Sequence, residues 1–244
     1  MKKKDLNNFV FFYLKKQIEN SKFVIHNYDE VNLNYFVSSI KKFHPNSKII
    51  QCTDFKTPKV MGVDDVFRID IDQNKIMEGR IYSYAKLNLL EPSIFLDIDM
   101  LITKKIPFDL LLDKADVILL KRSFNKTARL PVKFRGQTFL EHQTYNLGEI
   151  YPYIGCFVIT NTNEFWNDCH LLYENLKDNY KFWFGDQKIL KDIVKNKNYK
   201  FAFLEEKDFA CPPQFINEKK QPFTIHFKGK QSKSLIKDYY NFIK

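Results

Sequence analysis

Strand-like and helix-like segments alternate through roughly the first hundred residues, and nothing else narrows the fold of this chain as much. Residues 6–20 read as an amphipathic helix, and SKFVIHNY (21–28) as a first strand. Residues 31–43 then carry Val31, Tyr35, Phe36 and Ile40 on one helical face, and SKIIQCTD (47–54) is a second strand ending at Asp54. DVFRIDI (65–71) is a third strand. Residues 75–90 form a helix with Ile81, Tyr84, Ala85 and Leu89 inward, and SIFLDID, after Pro92, is a fourth strand. Such alternation builds an α/β fold around a mostly parallel, doubly wound sheet. Ligands of these sheets collect beyond the carboxyl ends of the strands, where Asp54, Asp97 and Asp99 all fall.

The second half is less regular. ADVILLKRS (115–123), YIGCFVITN (153–161) and KFAFLEE (200–206) have strand character. Residues 163–178, 186–196 and 233–243 have helical character, and 124–150 form a polar, aromatic loop whose length suits a functional loop. A hydrophobic fraction of 44% with 16% aromatics is enough for a sizeable core. No apolar run spans a bilayer and no cleavage site follows the basic MKKKDLNN, so the expectation is a cytoplasmic protein with at most peripheral membrane contact. Cys52, Cys156, Cys169 and Cys211 are scattered without a C-x-x-C pair, as reduced core thiols are. The formal charge of +10 comes from lysines spread along the chain, and no nucleic-acid reading motif accompanies it.

SIFLDIDMLI (93–102) raises the chemical question. If the strand persisted through both acids, Asp97 and Asp99 would share a face, and two like charges so close repel. A divalent cation relieves that repulsion. Hard oxygen ligands suit Mg²⁺ or Mn²⁺, which in turn hold the oxygens of a diphosphate. The bland alternative is a strand-end turn with two solvated acids.

In context, RIYSYAKLNLLEPSIFLDIDMLI resembles the core segment of GT-A glycosyltransferases, particularly family 8, the glycogenin-like and bacterial galactosyltransferase group. FGDQKIL (184–190) resembles that family's D-Q-x-x-L-N motif, and IHFKGK (225–230) its H-F-x-G segment, in the same order. The resemblance implies a single Rossmann-like GT-A domain over residues 1–244. Its donor half would cover about 20–123; its acceptor half and C-terminal lid would cover about 124–244. It implies transfer of a sugar, with retention, from a nucleoside-diphosphate sugar such as a UDP-sugar, with Mn²⁺ or Mg²⁺ as cofactor. Asp97, Asp99 and His226 would hold the metal, with a structural histidine as the competing reading of His226. His26, Asn27, Tyr28, Asp54 and Ile98 would line the base, ribose and donor, and either Arg80 or Lys86 would meet donor phosphates. Gly229 would let backbone approach the diphosphate, with Lys230 or Lys233 adding charge. Asp186 and Gln187 would be the catalytic pair near the anomeric carbon, although a helix N-cap alone would also explain Asp186. Gly155 and Trp183 would lie on the acceptor side.

The motifs also depart from the family. Lys191 replaces the Asn after D-Q-x-x-L, Ser232 stands where a lysine is expected, no Pro-Trp follows, and Tyr153-Ile154 precede Gly155. Sugar, acceptor and oligomeric state are not legible. Two rivals remain open at this point. FLDIDM also resembles the D-x-D of haloacid-dehalogenase-type phosphatases, but Met100-Leu101 follow it where Gly-Thr belongs. A GT-A-like domain retained for binding alone is the other.

Overall fold

The computed structural model describes residues 8–15, 30–72, 75–108, 115–134, 136–217 and 219–243. The expected α/β architecture is present, with one early correction. Within 6–20, Asn8–Phe12 is not helix but strand β1, an interior strand of the sheet paired in parallel on both sides, with β4 and β2. NFVFF has no polar face to show to water, whereas a central parallel strand must be apolar on both sides. Phe9 and Phe11 accordingly enter the core on one face of the sheet, and Val10 and Phe12 the core on the other. The expected strand at 21–28 lies outside the described residues.

After β1 come α1 (Glu30–Phe43), β2 (Lys48–Thr53), β3 (Asp65–Arg68), α2 (Ile76–Leu87), β4 (Ser93–Leu96), β5 (Met100–Ile102) and β6 (Val117–Lys121). The segment 124–150 is more ordered than a loop. It forms a hairpin, β7 (Lys133–Phe134) and β8 (Gln137–Thr138), and two short helices, α3 (Glu141–Thr144) and α4 (Leu147–Ile150). Phe139, Ile150 and Tyr151 pack there with Tyr180 and Phe184 as a separate small core, and Asn146 with Glu149 closes a capping box on α4. Enough aromatics occur in this stretch to bury one another, which a polar reading of it undervalues. The chain continues through β9 (Tyr153–Thr160), α5 (Glu164–Glu174), α6 (Asp178–Phe182), α7 (Gly185–Asn196), β10 (Phe201–Glu205), α8 (Glu206–Phe209), β11 (Thr224–His226), α9 (Gly229–Lys233) and α10 (Ile236–Ile243).

Among the described residues, seven strands form the main sheet in the order β10-β6-β9-β4-β1-β2-β3. Among the described strands of this sheet, β9 alone runs antiparallel, inserted between β4 and β6. Because β9 comes from the second half of the sequence and β4 from the first, the sheet interleaves the two expected halves. Helix α1 covers one face with Leu33, Phe36, Val37 and Ile40. Helices α2, α5 and α7 cover the other with Ile81, Tyr84, Phe165, Trp166, Ile189 and Ile193. All four cysteines are buried and unpaired. Among the described residues no helix is long and apolar enough to cross a membrane.

Candidate active site

β4 ends at Leu96, short of the acids, so strand alternation is not what brings them together. The Asp97 N–H donates to the Cys156 carbonyl of β9 (2.9 Å), and the Asp99 carbonyl accepts from Phe227 N–H (2.8 Å) just after β11. Between these two bonds the chain leaves the main sheet for a second, antiparallel sheet of β5 and β11. The carboxylates therefore sit on the turn where the backbone changes sheets, beyond the carboxyl end of β4. The same pairing delivers the distant histidine: His226 lies opposite Met100 in the β5–β11 ladder, next to Asp99 in sequence.

One ligand atom each from Asp97, Asp99 and His226 lie within 4.8 Å of one another. His226 Nε2 is 3.3 Å from Asp99 Oδ1 and 4.0 Å from Asp97 Oδ2. Lys233 Nζ holds the other Asp99 oxygen at 3.1 Å. Burial opposes ionisation of Asp99, but His226 and Lys233 together hold its carboxyl well below the ordinary carboxylate range. Burial, only partly offset by Arg80, raises Asp97, and the neighbouring Asp99 adds to the rise. Burial would lower His226, yet Cys156 and Asp99 raise it to about 10. Its buried Nδ1 has no hydrogen-bond partner of normal geometry. Two carboxylates and an imidazole, crowded and stabilised by borrowed positive charge, are a donor set that fits Mn²⁺ or Mg²⁺. Among the described residues no other cluster of acids, cysteines and histidines has this form.

Arg80, on α2, joins this cluster to the D-Q pair. Its Nη1 donates to Asp97 Oδ1 (2.8 Å) and its Nη2 to Asp186 Oδ2 (2.7 Å). Asp186 makes no N-cap bond. The cap position of α7 is Phe184, held at φ +66°, and the carboxylate points to Arg80 instead. Gly155 makes room for that carboxylate, since a Cβ there would stand 2.9 Å from Asp186 Oδ2. Gln187 accepts from Arg122 Nη2 (2.6 Å), and Arg122 Nε also donates to the Tyr151 carbonyl (2.9 Å). Each member of the D-Q pair is thus fixed by its own arginine.

In structure comparisons, the chain matches the crystal structure of the glycosyltransferase GlyE in Streptococcus pneumoniae TIGR4 with a TM-score of 0.61. The match covers 98% of this chain and 62% of GlyE, at 14% identity. The galactosyltransferase LgtC, in complex with donor and acceptor sugar analogs, matches with a TM-score of 0.58 over 97% of this chain and 94% of its own, at 12% identity. The apo form of GlyE gives 0.56 at 13% identity, with 98% of this chain and 62% of GlyE covered. This chain has the GT-A glycosyltransferase fold. It spans 62% of the length of GlyE. No protein-family profile matches it, and no curated protein sequence does.

Within this GT-A fold the remaining expected residues are distributed unevenly. Lys86 is exposed on the last turn of α2, its ammonium over the Tyr82 ring at 5.4 Å, whereas Arg80 is in the cluster. Asp54, at the end of β2, builds a turn: its Oδ1 accepts from Lys56 N (3.2 Å) and Thr57 N (2.7 Å). The Ile98 side chain is buried in the core on the α1 face. Gly229 has φ +80° and opens α9, which carries Lys233. Lys230 belongs to the same helix. Trp183 packs beside Phe134 and Phe184 in the small core. His26, Asn27 and Tyr28 lie outside the described residues.

Two residues at the site escaped the sequence analysis. Arg122 is buried just beyond β6. Glu206, 1% exposed, follows β10 and accepts from Ser123 N (2.9 Å), Phe124 N (3.2 Å) and Lys228 Nζ (2.8 Å). Burial works against its charge, but Lys228 and those backbone donors hold its pKa below 4.5. Lys228 is thereby anchored two residues after His226. Arg122 and Glu206 both stand directly past an apolar strand, the same signal that singled out Asp54 and Asp97.

Proposed function

We propose that this chain is a metal-dependent glycosyltransferase that moves a sugar from a nucleoside-diphosphate sugar, UDP-sugars first among them, to a saccharide, lipid-linked or protein acceptor. The observation that carries the reading is the convergence of Asp97, Asp99 and His226 from separate parts of the sequence. The sugar analogs bound to LgtC, a structure of the same fold, support it. The interleaved sheet supports treating residues 1–244 as one catalytic unit. On this reading the protein works in the cytoplasm, at most peripheral to a membrane.

A divalent cation bound at the three ligands would neutralise charge on the departing diphosphate. The protein's part is positioning. Arg80 holds Asp97 toward the metal side and Asp186 toward the sugar side with one guanidinium, which fixes their separation. Arg122 orients the Gln187 amide by taking its oxygen, leaving the NH₂ to face the sugar. Lys233 and Lys228 place positive charge on the segment that would close over the diphosphate. Asp186 is committed to Arg80, an arrangement better suited to stabilising charge near the anomeric carbon than to deprotonating an acceptor. That favours retention.

The test is donor hydrolysis across UDP-, GDP- and CDP-sugars with Mn²⁺ and with chelator. We expect one nucleotide class to be hydrolysed, activity to vanish with chelator, and Asp99→Asn to lose it by at least about a hundredfold. Unaltered hydrolysis by the Asp99→Asn protein would sink the assignment.

A further inference from the structure

Phe124 and Phe215 come from distant parts of the chain and lie ring on ring, 4.2 Å between centroids and 6° between planes. Phe215 is 41% exposed, so the pair is not core packing. A parallel pair at a surface turns one broad aromatic face to solvent, which an edge-to-face pair such as Phe11 with Phe36 does not.

Both rings are anchored to the candidate site through their backbones. Phe124 N–H donates to Glu206 (3.2 Å), which also holds Lys228, and two residues earlier Arg122 holds Gln187. Phe215 closes a single 3-10 turn, Pro213–Phe215, shortly after Cys211, whose carbonyl accepts the His226 N–H (3.0 Å). The stack therefore joins the segment that orients the D-Q pair to the segment that supports the histidine of the metal cluster. In the sheet, β1 and β2 lie on one side of β4 and its acids, and β9 and β6 on the other. Phe124 follows β6, on the side away from the Asp54 end that the resemblance gives to the donor nucleotide.

We propose that Phe124 and Phe215 form an acceptor platform, on which a pyranose ring of the acceptor lies with its C–H face against Phe215. The proposal rests on glycosyl transfer as the function and narrows the acceptor to a saccharide, free or carried on a lipid or protein. The size of the patch and its border choose the occupant. It consists of two rings flanked in sequence by the exposed Asn125, Lys126 and Gln214, whereas an acyl chain or an apolar peptide needs a longer apolar track. A pyranose has one face of C–H groups, about as wide as a phenyl ring, and a rim of hydroxyls. It suits a small apolar surface with polar groups at its edge. The Ser123 hydroxyl, next to Phe124 in sequence, donates to Glu205 (3.0 Å) and supplies such an edge.

The experiment is saturation-transfer difference NMR on protein with Mg²⁺ and UDP, using methyl glycosides of glucose, galactose, mannose and N-acetylglucosamine, and octyl glucoside. Thermal unfolding with Mg²⁺ and UDP, GDP or CDP reports the donor site separately. We expect at least one methyl glycoside to bind through its ring C–H protons. Phe215→Ala, at an exposed position and checked for folding by circular dichroism, should weaken that binding by about tenfold. Phe215→Tyr, which keeps the flat face, should restore it to within about twofold of wild type. Stabilisation by a nucleoside diphosphate without binding of any glycoside overturns the platform and leaves the donor site standing. Undiminished glycoside binding by folded Phe215→Ala does the same, as does transfer to the octyl chain in place of the sugar ring. If no nucleoside diphosphate stabilises the protein, the functional reading falls and the platform with it.

Discussion

Arg80 offers the sharpest test of how this site is held. Its guanidinium lies 14% exposed between Asp97 and Asp186, at 2.8 and 2.7 Å. Burial alone would lower its pKa, but the two carboxylates raise it far above the ordinary value, so it is charged at any working pH. Arg80→Met keeps much of the side-chain bulk and removes the charge, leaving two acids facing each other across the gap. Stripping one partner from a buried ion pair costs roughly 3–5 kcal/mol. Asp97 keeps 30% of its side-chain surface and can recover some hydration, so the low end, about 3 kcal/mol, applies. Unfolding entropy of about 2.1 cal/mol/K per residue, over 244 residues, gives ~0.5 kcal/mol/K. The melting temperature should therefore fall by about 6 °C in differential scanning calorimetry at pH 7. Adding Asp186→Asn to Arg80→Met should recover part of the loss, because it removes one of the stranded charges. A drop under about 2 °C, or a double variant no more stable than Arg80→Met, would refute the claim that Arg80 is the electrostatic bridge.

Other expectations follow from single contacts. Gly155→Ala should cut donor hydrolysis by tenfold or more in order of magnitude while the fold survives, since the new methyl meets Asp186 Oδ2 at 2.9 Å and pushes it off Arg80; a kcat within twofold of wild type would contradict this. His44 is buried and neutral, its Nε2 accepting from Ile106 N–H (3.3 Å), and burial with nearby Lys105 lowers its pKa from 6.5 to about 4. The unfolded chain therefore takes up this proton first, and stability should fall by about 3 kcal/mol between pH 6.5 and 4. Urea titrations of His44→Gln across that window should be flatter than wild type by about that amount. Glu206 has the acid's sign: its folded pKa lies below 4.5, so its stabilisation is full above that pH and is lost as pH falls through the lower folded value. Glu206→Gln should lower stability near neutrality, and its deficit should shrink as the solution is acidified below pH 4.5.

Legibility from sequence tracked how local each determinant was. The alternation at 31–54 and 75–96 gave α1, β2, α2 and β4 because each segment's period is set by its own buried face. β1 misled because FVFFYL has no polar period, and an all-apolar run is equally a helix or a central strand until its neighbours are known. Asp97 and Asp99 were found, but through the wrong geometry. A shared face requires the strand to continue through both acids, whereas the exchange from one sheet to the other depends on β9 and β11, far along the chain. Arg122 and Glu206 were missed for a related reason. Each follows an apolar strand, but what gives it a place at the site is a partner, Gln187 or Lys228, that is tens of residues away.

The phosphatase rival can be weighed on chemistry, since a shared fold does not fix activity. A nucleophilic aspartate must present an unencumbered oxygen to phosphorus, in line with the leaving group. Asp97 instead gives one oxygen to Arg80 at 2.8 Å and turns the other toward His226 at 4.0 Å. The second aspartate of that chemistry must donate a proton, yet Asp99 is held in its charged form by His226 and Lys233. Both acids are thus arranged as acceptors, one oriented by an arginine and one stripped of its proton, and an acceptor pair joined by an imidazole serves a cation. Phosphate release from a generic phosphomonoester by the wild-type protein, persisting in Arg80→Met, would mean that Asp97 is freer than its contacts indicate, and would return the question to the phosphatase.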